Sequence, residues 1–191
     1  MLNIIVAGPP GSGKGTLAKI MAEKYDLIHF STGEMLRKEV AAHTPLGLQV
    51  APILERGDLV SDSIVVSMIA SSLEAYPQMH GFLFDGFPRT VKQAKALDKL
   101  LAEKGAPLNL MILLDLSDET CTSRILRRGT IENRADDTDI SKVKHRLATY
   151  QSQTKPIIDH YKKQGKFVTV DSSKTPEHTF NQVDQCLTQI L

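Results

Sequence analysis

The stretch Leu2-Asn3-Ile4-Ile5-Val6-Ala7-Gly8-Pro9-Pro10-Gly11-Ser12-Gly13-Lys14-Gly15-Thr16 decides the fold class. Its first six residues form a short apolar run, the pattern of a strand buried on both faces. The glycines that follow let the backbone curl so that successive N–H groups point inward at a polyphosphate. A helix beginning near Lys14 adds its positive end, and Lys14 adds a full charge. A plain Gly/Pro turn between strand and helix would not need the lysine. Gly11, Ser12, Gly13, Lys14, Gly15 and Thr16 are therefore candidate phosphate contacts. One position departs from the general pattern. The residue after the lysine is ordinarily Ser or Thr, a magnesium ligand, and here it is Gly15, with Thr16 one place later. Either the metal is held mainly by nucleotide and water, or the loop works without magnesium.

Working outward, apolar runs recur at Phe82–Phe84, Leu110–Leu116 and Phe167–Val170, with a weaker one at Leu27–Phe30. Segments of helical spacing lie between them, which predicts an α/β fold with a parallel sheet covered on both faces. Thr175-Pro176-Glu177 opens the last helix with an N-cap, a first-turn proline and an acid, and Ser117-Asp118-Glu119 opens another. Two stretches break the alternation. Roughly 50 residues separate Leu27–Phe30 from Phe82–Phe84, far more than one crossover needs. Arg124 to Asp139 is dense in Arg and Asp and poor in apolar residues. Both read as lobes inserted at the sheet's edge, where such insertions frame a ligand site.

The 191 residues suit one compact domain. Lys plus Arg number 23 and Asp plus Glu 22, so the net charge of +1 excludes a basic coat for nucleic acid or membrane. With 41% hydrophobic and 24% charged residues, disorder is excluded as well. Cys121 and Cys186 are far apart, which rules out a disulfide scaffold or a thiolate-based zinc site. The start lacks a basic leader region, and the longest other greasy run, Leu110–Leu114, cannot span a bilayer. A cytoplasmic protein is expected.

Three further motifs carry chemistry. In Ser31-Thr32-Gly33-Glu34-Met35-Leu36-Arg37, Arg37 can reach an anion at the sheet's edge while Thr32 lies at the helix mouth; alone, the segment reads equally as a capped surface helix. In Asp85-Gly86-Phe87-Pro88-Arg89, an acid at a strand's carboxyl end can orient magnesium-bound water and Arg89 offers a planar fork to phosphate, where an ion pair bracing a turn is the plain alternative. Gln93 lies four residues on, and its amide can read a base edge by donating and accepting together. Finally, Arg124 and Arg128 share a helix face, with Arg127 expected to point elsewhere; Arg134 and Arg146 follow, with Asp136 and Asp137 between them. From 124 to 134 the only cations are arginines, a choice suited to bidentate phosphate clamping rather than to a solvated face.

The sequence Gly13-Lys14-Gly15-Thr16, the Ser-Thr-Gly-Glu-x-x-Arg segment, Asp-Gly-Phe-Pro-Arg and the arginine run, in this order along the chain, resemble the nucleoside monophosphate kinases, and adenylate kinases of the short-lid type in particular. The resemblance implies a P-loop NTPase fold with a five-stranded parallel sheet, divided into a core (1–30, 61–126, 139–191), a monophosphate-binding lobe (31–60) and a short lid (127–138). It implies transfer of the terminal phosphoryl group of ATP to AMP, giving two ADP, with magnesium and no zinc. By the same resemblance Thr32, Arg37, Asp58, Leu59, Val60, Gly86, Phe87, Pro88, Arg89 and Gln93 contact AMP, the 57–60 segment through its backbone. Arg124 and Arg128 face ATP, Arg134 and Arg146 bridge the transferring group, and the backbone at Lys174 meets the ATP base. Asp85 acts on the metal through water. Glu132-Asn133 stands where the lid pattern has Ser-Gly, and Asn tolerates the left-handed backbone next best to Gly.

Related UMP/CMP kinases resemble Ser-Ala-Gly at the Thr32 segment and Asn at the Gln93 position, so AMP is the expected acceptor. A GTPase would need an Asn-Lys-x-Asp guanine reader in the last third of the chain, and none occurs. A regulatory factor that had lost transfer would be expected to lack Lys14, Arg89 or the lid arginines. The family suggests a monomer. None of the six histidines falls in these motifs, in keeping with an acceptor oxygen already ionised at neutral pH. Six of the eight arginines do fall there.

Overall fold

The computed structural model describes residues 1–76, 81–132, 137 and 139–189. Five strands, β1 (Leu2–Ala7), β2 (Ile28–Ser31), β3 (Gly81–Asp85), β4 (Leu110–Asp115) and β5 (Phe167–Asp171), form one sheet in the order β2-β3-β1-β4-β5. Every pairing is parallel. The strands lie where the apolar runs predict, including the weak one at Leu27–Phe30. The order reverses at β1, so the crevice at its carboxyl end is the place where such sheets bind ligands.

Side-chain alternation divides the core into two layers. Ile5, Ala7, Phe82, Phe84 and Met111 face one side and pack with Leu73, Leu97 and Tyr161. These three belong to helices α4 (Asp62–Glu74), α5 (Val91–Glu103) and α8 (Ile157–Lys162). Ile4, Val6, Leu83, Ile112 and Leu114 face the other side and pack against Leu17, Met21 and Val183. Those come from α1 (Lys14–Tyr25) and α9 (Pro176–Thr188), the latter capped by Thr175 as its sequence predicts. Asn3 is the polar exception on β1, wholly buried. Its amide accepts from Phe82 N–H (3.0 Å) and donates to the Ala106 carbonyl (2.7 Å), so nothing is left unsatisfied by burying it.

The long interval after β2 holds a helical hairpin, α2 (Thr32–Ala41) and α3 (Pro45–Arg56), before α4 returns to the core. Helix α6 (Asp118–Glu132) carries Arg124 and Arg128 on one helix, as their spacing predicts, and continues to Glu132; α7 (Ile140–Thr149) follows it in the chain. Cys121 and Ile125 on α6 pack against Val143 and Leu147 on α7, a small apolar cluster that seats the arginine-bearing helix against its neighbour. Gly129 permits a close approach here. A Cβ on it would lie 2.7 Å from the Asp137 carbonyl oxygen.

Candidate active site

A cleft of about 580 Å³ opens at the carboxyl end of β1, lined by the phosphate loop, the starts of α1 and α2, the Asp85–Arg89 segment, α6 and the loop after β5. A smaller pocket of about 70 Å³ adjoins it under the hairpin, between Thr32, Gly57–Val60, Arg89 and Gln93. The four sequence motifs, separated by up to about a hundred residues, meet in this one place.

In the phosphate loop Gly13 takes a left-handed backbone (φ 90°), open to glycine without strain. Lys14 folds back on the loop, its Nζ donating to the Gly8 and Pro9 carbonyls, each at 2.9 Å. Burial lowers the Lys14 ammonium to about 8, opposed by Asp85 and reinforced by Arg89, Arg146 and Arg128. Four cations thus bear on one another at this cleft, their charge offset in part by Asp85 and Asp137, which gives a field suited to a polyphosphate.

Asp85 ends β3. Burial opposes its ionisation, but His29, Lys14 and Arg89 outweigh this and hold its carboxyl below the usual range. His29 Nε2 lies 3.6 Å from Asp85 Oδ2. A histidine outside the motifs is thus a neighbour of Asp85: β2 and β3 pair Ser31 with Asp85, which carries the side chain of His29 alongside. On the other side, a Cβ added to Gly15 would lie 3.6 Å from Asp85 Oδ2, so the residue after Lys14 brings no hydroxyl to the carboxylate. An ionised carboxylate at the cleft wall, with no hydroxyl ligand beside it, is donor chemistry that suits a cation reached through water.

The Gly86 carbonyl accepts from both Thr32 Oγ1 (2.8 Å) and Arg89 Nε (2.9 Å), tying the mouth of α2 to the arginine. Arg37, one turn into α2, lines the same cleft over Gly33, as do Phe87 and Pro88. Gln93 is buried (2% exposed) rather than on a solvated helix face. Its Oε1 accepts from Arg89 N–H (2.7 Å) and its Nε2 donates to Asp62 Oδ1 (2.9 Å), leaving one N–H and one oxygen lone pair for a base edge. Leu59 and Val60 close the small pocket, whereas the carboxylate of Asp58 bonds Arg56 Nε (2.9 Å) and His145 Nε2 (2.7 Å). The Asp58 carboxylate is thus engaged by these partners, while the 57–60 segment borders the pocket.

The lid arginines are held in two ways. Arg124 donates to the carbonyls of Ser172 (3.0 Å) and Ser173 (3.3 Å) in the loop that carries Lys174. Arg128 Nε donates to Asp137 Oδ2 (2.6 Å), and Arg146 donates to Asp137 Oδ1. Asp137 is wholly buried, and although burial opposes its charge, these two arginines keep it ionised well below the usual carboxylate range. Sequence reasoning named Asp137 only as an intervening acid. Arg127, expected to point away, also lines the cleft, because α6 stands at its edge and presents more than one row of side chains. Thr149 and Tyr150 line it too, where α7 passes into the π-helical turn Tyr150–Thr154. Arg134 and Asp136 lie outside the described residues.

The sequence model described as adenylate kinase matches residues 6–166. The chain belongs to the adenylate kinase family. It is 40% identical over 190 residues to an adenylate kinase of Parabacteroides distasonis, covering 100% of both chains. It is also 40% identical over 183 residues to one from Phocaeicola vulgatus, with 96% of each covered. To one from Xanthomonas axonopodis pv. citri it is 41% identical over 186 residues, covering 97% of this chain and 99% of that one. Membership makes the enzyme a nucleoside monophosphate kinase that moves a phosphoryl group from ATP to AMP. The all-parallel five-stranded sheet agrees with that family's fold. No described helix is long and apolar enough to cross a membrane.

Proposed function

We propose that ATP occupies the large cleft, with its phosphates in the loop 8–16 and its base between Arg124 and the Lys174 loop, and that AMP occupies the small pocket at Thr32, Arg37, Leu59, Val60 and Gln93. The observation that carries this is the convergence of Lys14, Arg89, Arg128 and Arg146 between the two. Transfer in line between the nucleotides needs those charges and little else. The attacking phosphate oxygen is already ionised, so no side chain has to take a proton. Arg89, fixed by the Gly86 carbonyl, aligns the acceptor phosphate. Lys14 and the lid arginines offset charge that spreads over the transferring group. Arg134 belongs to this set by its position in the motif.

Asp85 would hold a magnesium ion through water, and that ion would supply charge neutralisation at the donor phosphates. The hairpin 31–60 and the lid 127–138 would move over the two nucleotides and keep water from the donor phosphate. The enzyme would work as a cytoplasmic monomer, with no nucleic acid partner, in line with its near-neutral charge.

The placement of ATP on Lys14 has a pH signature. With the free lysine at about 8, binding to a polyanion holds it protonated, so ATP binding takes up protons on the alkaline side. Its dissociation constant should then rise about fivefold between pH 8 and 9. AMP, which does not meet Lys14, should show no such rise. Calorimetric titration of each nucleotide in buffers of different ionisation enthalpy checks this. ATP affinity unchanged across that interval, with no proton uptake, would place the donor elsewhere.

A further inference from the structure

Ser172 lies in the loop after β5, almost wholly buried (4% exposed), and is held on three sides. Its N–H donates to the Asp115 carbonyl at the end of β4 (3.0 Å). Its carbonyl accepts from Arg124 (3.0 Å). Its hydroxyl donates to the Ser12 carbonyl, inside the phosphate loop, at 2.5 Å. The last bond joins two segments 160 residues apart in sequence.

A trans peptide is planar, so its C=O and N–H point in opposite directions. Drawing the Ser12 carbonyl out toward Ser172 therefore turns the Gly13 N–H the other way, toward the interior of the loop. Nothing in Gly13 itself enforces this. A glycine at φ 90° meets no steric penalty on either side of a peptide rotation, and a Cβ there would find only Ser172 Oγ, at 3.8 Å. We propose that Ser172 is a positioning residue for the donor phosphates: its hydroxyl sets the plane of the Ser12–Gly13 peptide and so aims the Gly13 N–H at the polyphosphate. Since Arg124 grips the same residue through its carbonyl, an arginine facing the donor and the phosphate loop share one anchor.

This inference rests on the loop 8–16 being the donor-phosphate site, and the test separates the two. Inorganic tripolyphosphate, which has no base, is titrated into the native enzyme and into Ser172→Ala and Ser172→Thr, with ATP and AMP titrated in parallel. Native protein that fails to bind tripolyphosphate in competition with ATP defeats the reading of the loop itself. If it does bind, Ser172→Ala should weaken tripolyphosphate and ATP by the same factor, about fivefold. AMP affinity should be unchanged, and Ser172→Thr, which keeps the hydroxyl, should recover most of the loss. Tripolyphosphate bound as tightly by Ser172→Ala as by the native protein overturns the proposal. A loss confined to ATP does so too, since it would place the effect at the base, and an equal loss for AMP would mark general loosening of the fold.

Discussion

Replacing Arg89 with lysine is expected to lower kcat/KM by about 10²–10³-fold while the protein stays folded. Arginine holds the Gly86 carbonyl through Nε (2.9 Å) and still presents its terminal nitrogens as a planar fork. A lysine ammonium can occupy one of those positions at a time. The loss should fall mainly on kcat, because alignment matters most where charge is moving. Arg89 is only half-buried, at the edge of the cleft, so the core layers are not disturbed. Steady-state kinetics alongside thermal unfolding checks both halves. A folded Arg89→Lys enzyme with near-native turnover would remove Arg89 from the chemistry.

Asp137→Asn should cost about 3 kcal/mol of stability, the low end for breaking a buried ion pair, because Arg128 keeps 28% of its side-chain exposure and can be partly solvated. The variant keeps the shape of the side chain and loses its charge, leaving Arg128 and Arg146 repelling each other. The pH dependence has a definite sign. The folded-state value of Asp137 lies below its unfolded one, so its contribution is fully present above the unfolded value near 4 and is lost as pH falls through the folded value. The gap between native protein and variant, measured by urea unfolding, should therefore be constant from pH 7 to about 5 and narrow as the medium becomes more acidic. A gap under about 0.5 kcal/mol at pH 7 would show that Asp137 acts only as a surface pair.

The role of Asp137 shows where sequence reading ends. In the string, Asp136-Asp137 is only a pair of acids between Arg134 and Arg146, with nothing local to assign either one a partner. Its burial depends on α6 continuing to Glu132, on Gly129 admitting the Asp137 backbone, and on α7 bringing Arg146 to the other side. None of those distances is written in local composition. The continuation of α6 to Glu132 was not legible for a related reason: Ile131, the one apolar side chain in Gly129–Glu132, is exposed, and the contacts α6 makes with α7 come from Cys121 and Ile125 further back.

The central strand and the phosphate loop, by contrast, were fully legible, because apolar run, glycines and lysine are contiguous and each has a local physical meaning. The pieces of the acceptor pocket were legible as motifs, while their bonding was not. Gln93 was legible as a base-reading amide, but its bonds to Arg89 and Asp62 were not, since they depend on where α4 is packed. His29 was invisible as a neighbour of Asp85, since parallel pairing of β2 with β3 is a property of the sheet. Arg127 shows the limit of helical-wheel geometry, which sorts side chains by face without saying how wide a cleft the helix borders.

In the proposed arrangement the small pocket takes AMP as acceptor of the ATP phosphoryl group. The most direct test compares initial rates of ADP formation from ATP with AMP, CMP and UMP at equal concentrations, together with ATP hydrolysis when no acceptor is present. AMP should be phosphorylated fastest by a wide margin, with hydrolysis negligible beside it. Faster turnover of CMP or UMP, or hydrolysis of ATP at a rate comparable with transfer, would rule out this pocket as an AMP acceptor site.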